Sequence, residues 1–151
     1  MPDDPRLLPM AEAPSAAAPI FERVAIVGVG LIGGSIGLAA RKAWPAALVI
    51  GVDRHDVLEK AMVRHAVDVA SPDMAIISAA DLVVLAAPVR ENLRLLADLE
   101  QWLPGEAVIT DAGSTKRQIV EASRALPPRL RFVGGHPLAG MPRAGFDHAR
   151  A

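Results

Sequence analysis

The chain has 151 residues, of which 52% are hydrophobic and 22% are charged, and its formal net charge is −1. That length gives room for one domain, and the near-neutral charge provides no basic surface for nucleic acid or anionic membranes. The chain has no cysteine, which excludes disulfides, thiolate nucleophiles and cysteine-ligated metals, and no His, Asp or Glu spacing indicates another metal site. We expect a cytoplasmic protein that contacts neither nucleic acid nor membrane.

The first 20 residues are rich in proline and alanine. They carry Asp3 and Asp4 where a signal peptide would have basic residues, and Pro9 and Pro14 interrupt the apolar stretch that such a signal needs. We predict a disordered leader over residues 1–20 and one folded domain over residues 21–151.

After residue 20, short apolar runs rich in valine and isoleucine alternate with segments of helical period. Such runs are typical of strands buried on both faces, and their alternation with helices is typical of a parallel sheet. Strands are predicted at residues 23–29, 47–53, 67–70, 82–88, 107–113 and 130–135. Helices are predicted at residues 31–43, 56–66, 72–79, 91–103 and 115–126. Asp56 and Ser114 are the expected N-caps of the second and last helices.

A glycine-rich turn, "GVGLIGG", joins the first predicted strand to the first helix. In its G-x-G-x-x-G frame Gly28 permits a tight turn, Gly30 lets the backbone approach a pyrophosphate, and Gly33 allows helix and strand to pack closely. Leu31 and Ile32 lie between them, where the helix N-terminus would hold the phosphate. The turn predicts a dinucleotide-binding Rossmann-type α/β fold, a doubly wound and mostly parallel sheet with helices on both faces. The alternative is a structural turn in an unrelated α/β domain.

The residues at the end of the second strand indicate which dinucleotide would bind, and those at the end of the fourth strand would border it. Asp53 follows the glycine turn by about 20 residues, where a carboxylate accepts hydrogen bonds from the adenosine ribose. This carboxylate would repel a 2′-phosphate and favours NAD, whereas Arg54 could tolerate that phosphate and leaves NADP open. Small Ala87 would let the cofactor pass, and Pro88 would turn the chain away from it.

Two polar residues follow the last two strands, where ligands bind in doubly wound sheets. Ser114 lies in "VITDAGSTK" and His136 in "FVGGHPLAG". Together with "VGVGLIGGSIGLA", "GVDR" and "ADLVVLAAPV", in this order and spacing, these motifs resemble the prephenate/arogenate dehydrogenase family, the TyrA-type enzymes of tyrosine biosynthesis. The likeness covers about residues 22–150.

The resemblance implies oxidation of a cyclohexadienol by NAD(P)+, with loss of CO2 making the ring aromatic. Prephenate would yield 4-hydroxyphenylpyruvate, and arogenate would yield tyrosine. The family's catalytic histidine falls on His136, which would accept the ring hydroxyl proton as hydride leaves the same carbon. Its motif serine falls on Ser114, which would hydrogen-bond that hydroxyl or the histidine. Both residues would therefore also contact the substrate.

The sequence departs from the family pattern in two ways. Met141 stands after "HPLAG" where many relatives carry a hydroxyl or charged group for a substrate carboxylate. Either Arg143 or a backbone N–H serves instead, or the affinity for the substrate is poor. Relatives also continue into a helical domain that dimerises and closes over the substrate. We expect this chain to hold the cofactor-binding part only, and the full-length protein to form a homodimer.

Other interpretations remain open from sequence. The scaffold could serve another dehydrogenase or reductase, such as an imine reductase or a β-hydroxyacid dehydrogenase, or it could be a nucleotide-binding module without activity. His136 could satisfy a carbonyl in a turn, Asp111 could bind backbone, and Lys116 could be an exposed residue of a helix.

Overall fold

The computed structural model describes residues 18–137 and 144–151. They form one sheet of six strands in the order β3-β2-β1-β4-β5-β6, and every neighbouring pair is parallel. The strands are β1 Arg23–Val27, β2 Leu48–Val52, β3 Val69–Ala70, β4 Leu82–Leu85, β5 Ala107–Asp111 and β6 Leu130–Gly134. The doubly wound α/β fold predicted from sequence is confirmed. Five strands end earlier than predicted, because their last predicted residues turn out of the sheet into loops.

Four α-helices connect these strands, namely α1 Leu31–Ala43, α2 His55–Val63, α3 Val89–Trp102 and α4 Arg117–Ser123. Two short 3₁₀ helices occupy Met74–Ile77 and Phe146–His148. The first replaces the helix predicted at residues 72–79. The Asp73 carboxylate accepts a hydrogen bond from the Ala75 N–H at 2.9 Å and caps this single turn.

Both predicted N-caps are wrong. α2 begins at His55 after Arg54, which places Asp56 inside the first helical turn. α4 begins at Arg117 after Lys116, so Ser114 lies in the preceding loop. α2 also ends before residue 66, because His65 adopts a left-handed conformation with φ of 55° that a helix cannot continue through.

Hydrophobic residues fill both faces of the sheet. Ala25 and Val27 of β1 belong to the core beneath α3 and α4, whereas Val24 and Ile26 belong to the core beneath α1 and α2. Successive side chains of a strand point to opposite faces, so β1 is buried on both sides. The sheet is therefore rigid where its carboxyl ends carry the candidate site.

The end of the chain packs back onto α1 and α2. The Phe146 ring is 3% exposed, and a Cβ at Gly34 would lie 2.5 Å from it. The Arg64 guanidinium lies 5.3 Å from the ring centroid and donates a hydrogen bond to the Ala149 carbonyl at 3.0 Å. Gly34 therefore makes room for the C-terminal segment.

Polar contacts hold the same segment at its edges. Lys60 Nζ donates to the Asp147 carboxylate at 2.9 Å, and this hydrogen bond holds the pKa of that carboxyl below its usual range. Ser35 Oγ donates to the Leu31 carbonyl and accepts from the Arg150 N–H at 3.0 Å. The small residues after the glycine turn thus bind the chain's own C-terminal segment.

We expect Phe146→Ala to lower the free energy of unfolding by about 3–5 kcal/mol, because it leaves a cavity between α1 and α2. Urea unfolding of the 151-residue chain measures this change. Val63→Ala is the matched control, since Val63 lies on α2 and is 78% exposed. Equal stability of the two variants would show that residues 146–149 are not docked as described.

Candidate cofactor and catalytic site

The glycine turn between β1 and α1 has the close packing that a phosphate-binding loop needs. Gly28 has a φ of +91°, and a Cβ there would lie 2.5 Å from the Ala87 nitrogen. A Cβ at Gly33 would overlap the Gly28 carbonyl oxygen. These two glycines let the turn fit between the first turn of α1 and the end of β4.

Gly30 differs from both because a Cβ there would have no heavy atom within 4 Å. Gly30 occupies the N-cap position of α1, and no acidic residue lies in the first turn of this helix. The first N–H groups of any α-helix lack intrahelical acceptors, and its N-terminus carries partial positive charge. The space above Gly30 is therefore open and suited to an anion.

A cavity of about 540 Å³ opens at the carboxyl ends of β1, β2 and β4. The switch in strand order between β1 and β4 lies beside it, which is where doubly wound sheets bind ligands. Of the predicted cofactor residues, the cavity brings together Gly28, Gly30, Asp53, Arg54, Ala87 and Pro88. Its lining does not include Leu31, Ile32 or Gly33, which form the first turn of α1.

Away from the strand ends, the lining includes four residues that the sequence analysis did not name: Pro72, Met74, Glu91 and Leu95. Pro72 and Met74 come from the segment after β3, where a short helix was expected. Glu91 and Leu95 come from the first two turns of α3. Only Glu91 and Leu95 could have been grouped from sequence, because residues four apart lie on one face of a helix.

Asp53 joins the glycine turn to the end of β2. One carboxylate oxygen accepts from the Val29 N–H at 2.7 Å, and the other accepts from the Arg54 N–H at 2.7 Å. Each carboxylate oxygen has a second lone pair, so the side chain keeps capacity for further donors. The Arg54 side chain is exposed and lies 3.6 Å from the Asp56 carboxylate.

A second polar group lies at the carboxyl ends of β5 and β6. Asp111 is 2% exposed, and its carboxylate accepts from the Gly113 N–H at 3.0 Å and from the Gly135 N–H at 3.2 Å. Lys116 Nζ pairs with the same carboxylate. The interpretation of Asp111 as a backbone-binding residue is therefore confirmed. Lys116 is half-buried and pairs with a buried carboxylate, so its interpretation as merely an exposed helical residue is wrong.

His136 and Ser114 lie on the two loops that Asp111 joins. His136 Nδ1 is 3.4 Å from the Gly113 carbonyl oxygen, and the rest of the ring is exposed. Ser114 follows Gly113 directly and is also exposed. Neither lines the cavity beside the glycine turn. Arg143, the expected substrate-carboxylate residue, lies outside the described residues.

Within residues 18–137 and 144–151, no group of three or more His, Asp or Glu side chains is arranged to hold a metal ion. The helices of the same ranges are all too short or too polar to cross a membrane.

Comparison with known sequences identifies the family. Residues 36–151 match the family model described as prephenate dehydrogenase, nucleotide-binding domain. Prephenate dehydrogenase of Bacillus subtilis is 38% identical over 133 residues, an alignment covering 85% of this chain and 36% of that protein. Cyclohexadienyl dehydrogenase of Zymomonas mobilis is 32% identical over 130 residues, covering 85% of this chain and 44% of that protein.

Solved structures agree with the sequence comparison. Synechocystis arogenate dehydrogenase superposes with a TM-score of 0.78 at 34% identity, covering 85% of this chain and 45% of that one. Prephenate dehydrogenase from A. aeolicus, in complex with hydroxyphenyl propionate and NAD+, superposes with a TM-score of 0.77 at 31% identity, covering 85% and 46%. The chain spans less than half the length of each of these relatives. It belongs to the prephenate dehydrogenase family, within which it corresponds to the nucleotide-binding domain.

Proposed function

We propose that this chain binds NAD and provides the proton acceptor for oxidation of prephenate or arogenate in tyrosine biosynthesis. The observation that carries the proposal is the arrangement of two features along one edge of the sheet. The cavity beside the glycine turn, called the glycine cavity below, lies at the ends of β1, β2 and β4, and the His136 loop lies at the end of β6. A dinucleotide laid across the strand ends from the glycine turn would bring its second half toward β5 and β6.

The residues of the cavity fit a dinucleotide. The pyrophosphate would occupy the open space above Gly30, with Leu31, Ile32 and Gly33 offering the N–H groups of the first turn of α1. Asp53 would accept from the adenosine ribose hydroxyls with its remaining lone pairs. Its negative charge favours NAD over the 2′-phosphorylated cofactor. Ala87 and Pro88 would border the path of the cofactor past the end of β4.

Bound NAD+ supplies the acceptor for the hydride that leaves the substrate ring. His136 takes the proton of the hydroxyl on that same ring carbon at Nε2, because Nδ1 faces the Gly113 carbonyl. Ser114 hydrogen-bonds the hydroxyl and orients it. The hydroxyl becomes a carbonyl, and loss of the ring carboxylate as CO2 then gives the aromatic product. Arg143 is proposed to bind a carboxylate of the substrate.

Grafting tests the proposed activity. The 151-residue chain alone is expected to bind NAD+ in a calorimetric titration but to turn prephenate over poorly, since the matched region covers less than half of each relative. Replacing the matching 133 residues of the B. subtilis enzyme with this domain should give a chimera that reduces NAD+ with prephenate or arogenate. A folded chimera that binds NAD+ and oxidises neither substrate would favour a nucleotide-binding module without this activity.

Asp53→Asn is expected to lower the preference for NAD over NADP by about 10–100-fold, the effect of losing a charge-assisted hydrogen bond of about 1.5–3 kcal/mol and the repulsion of a 2′-phosphate. The asparagine oxygen can still accept from Val29, so the loop should hold. Parallel titrations of NAD+ and NADP+ measure the ratio. Asp98→Asn is the control, because Asp98 is an exposed carboxylate on α3 outside the cavity lining. An unchanged ratio in Asp53→Asn would remove Asp53 from the ribose site.

A further inference from the structure

One buried carboxylate holds both loops that carry the candidate catalytic residues. The Asp111 side chain is fully buried, and its two oxygens accept backbone hydrogen bonds from different loops. Gly113 belongs to the loop after β5, and Gly135 belongs to the loop after β6. Because both N–H groups bind the same carboxylate, the Asp111 side chain links the two loops.

One hydrogen bond of Asp111 holds the backbone next to His136, and the other holds the residue whose carbonyl faces the His136 ring. Gly135, which donates to Asp111 Oδ1, is the residue directly before His136 in the chain. Gly113, which donates to Asp111 Oδ2, presents its own carbonyl to His136 Nδ1 at 3.4 Å. The position of the ring and the acceptor that it faces therefore both depend on this carboxylate.

The loops approach Asp111 too closely to allow other side chains. A Cβ at Gly135 would overlap the Asp111 carbonyl oxygen, and a Cβ at Gly113 would lie 2.9 Å from Asp111 Oδ2. Lys116 supplies the opposite charge that a buried carboxylate requires. Its stem runs beside β6, where a Cβ at Gly134 would lie 3.6 Å from Lys116 Cδ. The geometry leaves little freedom between the two loops.

A carbonyl oxygen can only accept a hydrogen bond. The ring nitrogen that faces the Gly113 carbonyl must therefore carry the hydrogen, and a neutral imidazole protonated at Nδ1 has a bare lone pair at Nε2. The opposite tautomer would place a lone pair of the ring against a lone pair of the carbonyl. The tautomer with a free Nε2 is the one that can accept a proton from a substrate hydroxyl.

We propose that Asp111 is a positioning residue that sets the orientation and the Nδ1–H tautomer of His136 through the backbone of Gly113 and Gly135. The catalytic consequence rests on the function proposed above. The tautomer itself does not, because it is a property of the chain without cofactor or substrate.

Imidazole ¹H–¹⁵N NMR of the labelled 151-residue chain, at a pH where the rings are neutral, tests this proposal. We expect the ratio of the Nδ1–H form to the Nε2–H form to be higher for His136 than for a solvent-exposed ring by about fivefold or more, the shift that a hydrogen bond of about 1 kcal/mol gives. Exposed His65 provides the reference signal in the same spectrum. A tautomer ratio for His136 equal to that of His65 would overturn the proposal whatever the variants show.

Asp111→Asn tests the role of the carboxylate, because its amide offers one acceptor oxygen where two N–H groups now bind. We expect the His136 tautomer ratio to fall toward that of His65. Asp68→Asn is the matched control, since Asp68 also pairs with a basic side chain, that of Arg41, and accepts a backbone N–H, from Val49, away from His136. If Asp111→Asn does not fold, Asp111→Glu, which keeps the charge but displaces the carboxylate, should change the ratio in the same direction.

A folded Asp111 variant with the wild-type tautomer ratio would overturn the positioning role. NAD+ titration of the same samples separates this outcome from failure of the proposed function. Asp111 variants should bind NAD+ like the wild type, because Asp111 does not line the glycine cavity. A wild-type chain that does not bind NAD+ would contradict the proposed function, but it would not change the conclusion drawn from the tautomer ratio.

Discussion

Gly30→Ala is expected to weaken NAD+ binding by about 10–100-fold without lowering the stability of the chain. The new methyl group would contact no protein atom, since nothing lies within 4 Å of its position, and would project into the space proposed for the pyrophosphate. Hydrogen bonds to a charged group contribute about 1.5–3 kcal/mol each, so displacing the phosphate from one N–H group gives this loss. Calorimetric titration and thermal unfolding measure the two quantities on the same sample.

Two other glycines make this experiment specific. Gly105→Ala is the matched control, because its methyl group would also meet nothing within 4 Å but lies between α3 and β5. Gly33→Ala should instead destabilise the fold, since its methyl would overlap the Gly28 carbonyl oxygen. Wild-type NAD+ affinity in Gly30→Ala would mean that the cofactor does not approach this turn.

His136→Ala is expected to lower turnover by about 10²–10⁴-fold in the chimera with the B. subtilis enzyme, while the affinity for NAD+ stays unchanged. This range is the usual contribution of a positioned general base. Turnover should fall without a change in NAD+ affinity because the ring lies at the end of β6, outside the cavity that would hold the adenosine and pyrophosphate. Initial rates of NADH formation and an NAD+ titration give the two parameters.

His65→Ala serves as the control for His136→Ala, because it removes an exposed imidazole from a loop after α2. Its turnover and NAD+ affinity should match those of the parent chimera. Undiminished turnover in His136→Ala would support the alternative interpretation, in which the ring satisfies the Gly113 carbonyl in a turn.

Local signals were sufficient for most of the fold and for several residues that line the cavity at the glycine turn. The valine- and isoleucine-rich runs located all six strands, and the bounds of α1 follow from the glycine turn before it and Trp44-Pro45 after it. The first two glycines of the G-x-G-x-x-G frame and the carboxylate after β2 line the cavity because parallel strands bring their carboxyl ends to one edge.

What the sequence could not predict depends on contacts between distant segments. Nothing local indicates that Gly34 receives the Phe146 ring, because the two meet only after the chain folds back over α1 and α2. The pairing of Asp111 with Lys116 and with the Gly135 N–H requires β5 and β6 to be neighbours. Ser114 has the chemistry of an N-cap, but the bonds of Asp111 hold the loop in another path and α4 begins later.

A crystal structure of the chain with NAD+ tests the central claim most directly. We expect the pyrophosphate above Gly30 at the N-terminus of α1, Asp53 on the adenosine ribose, and the nicotinamide ring beside the His136 imidazole. NAD+ bound away from the glycine turn, or a nicotinamide directed away from β5 and β6 with His136 facing only solvent, would contradict it.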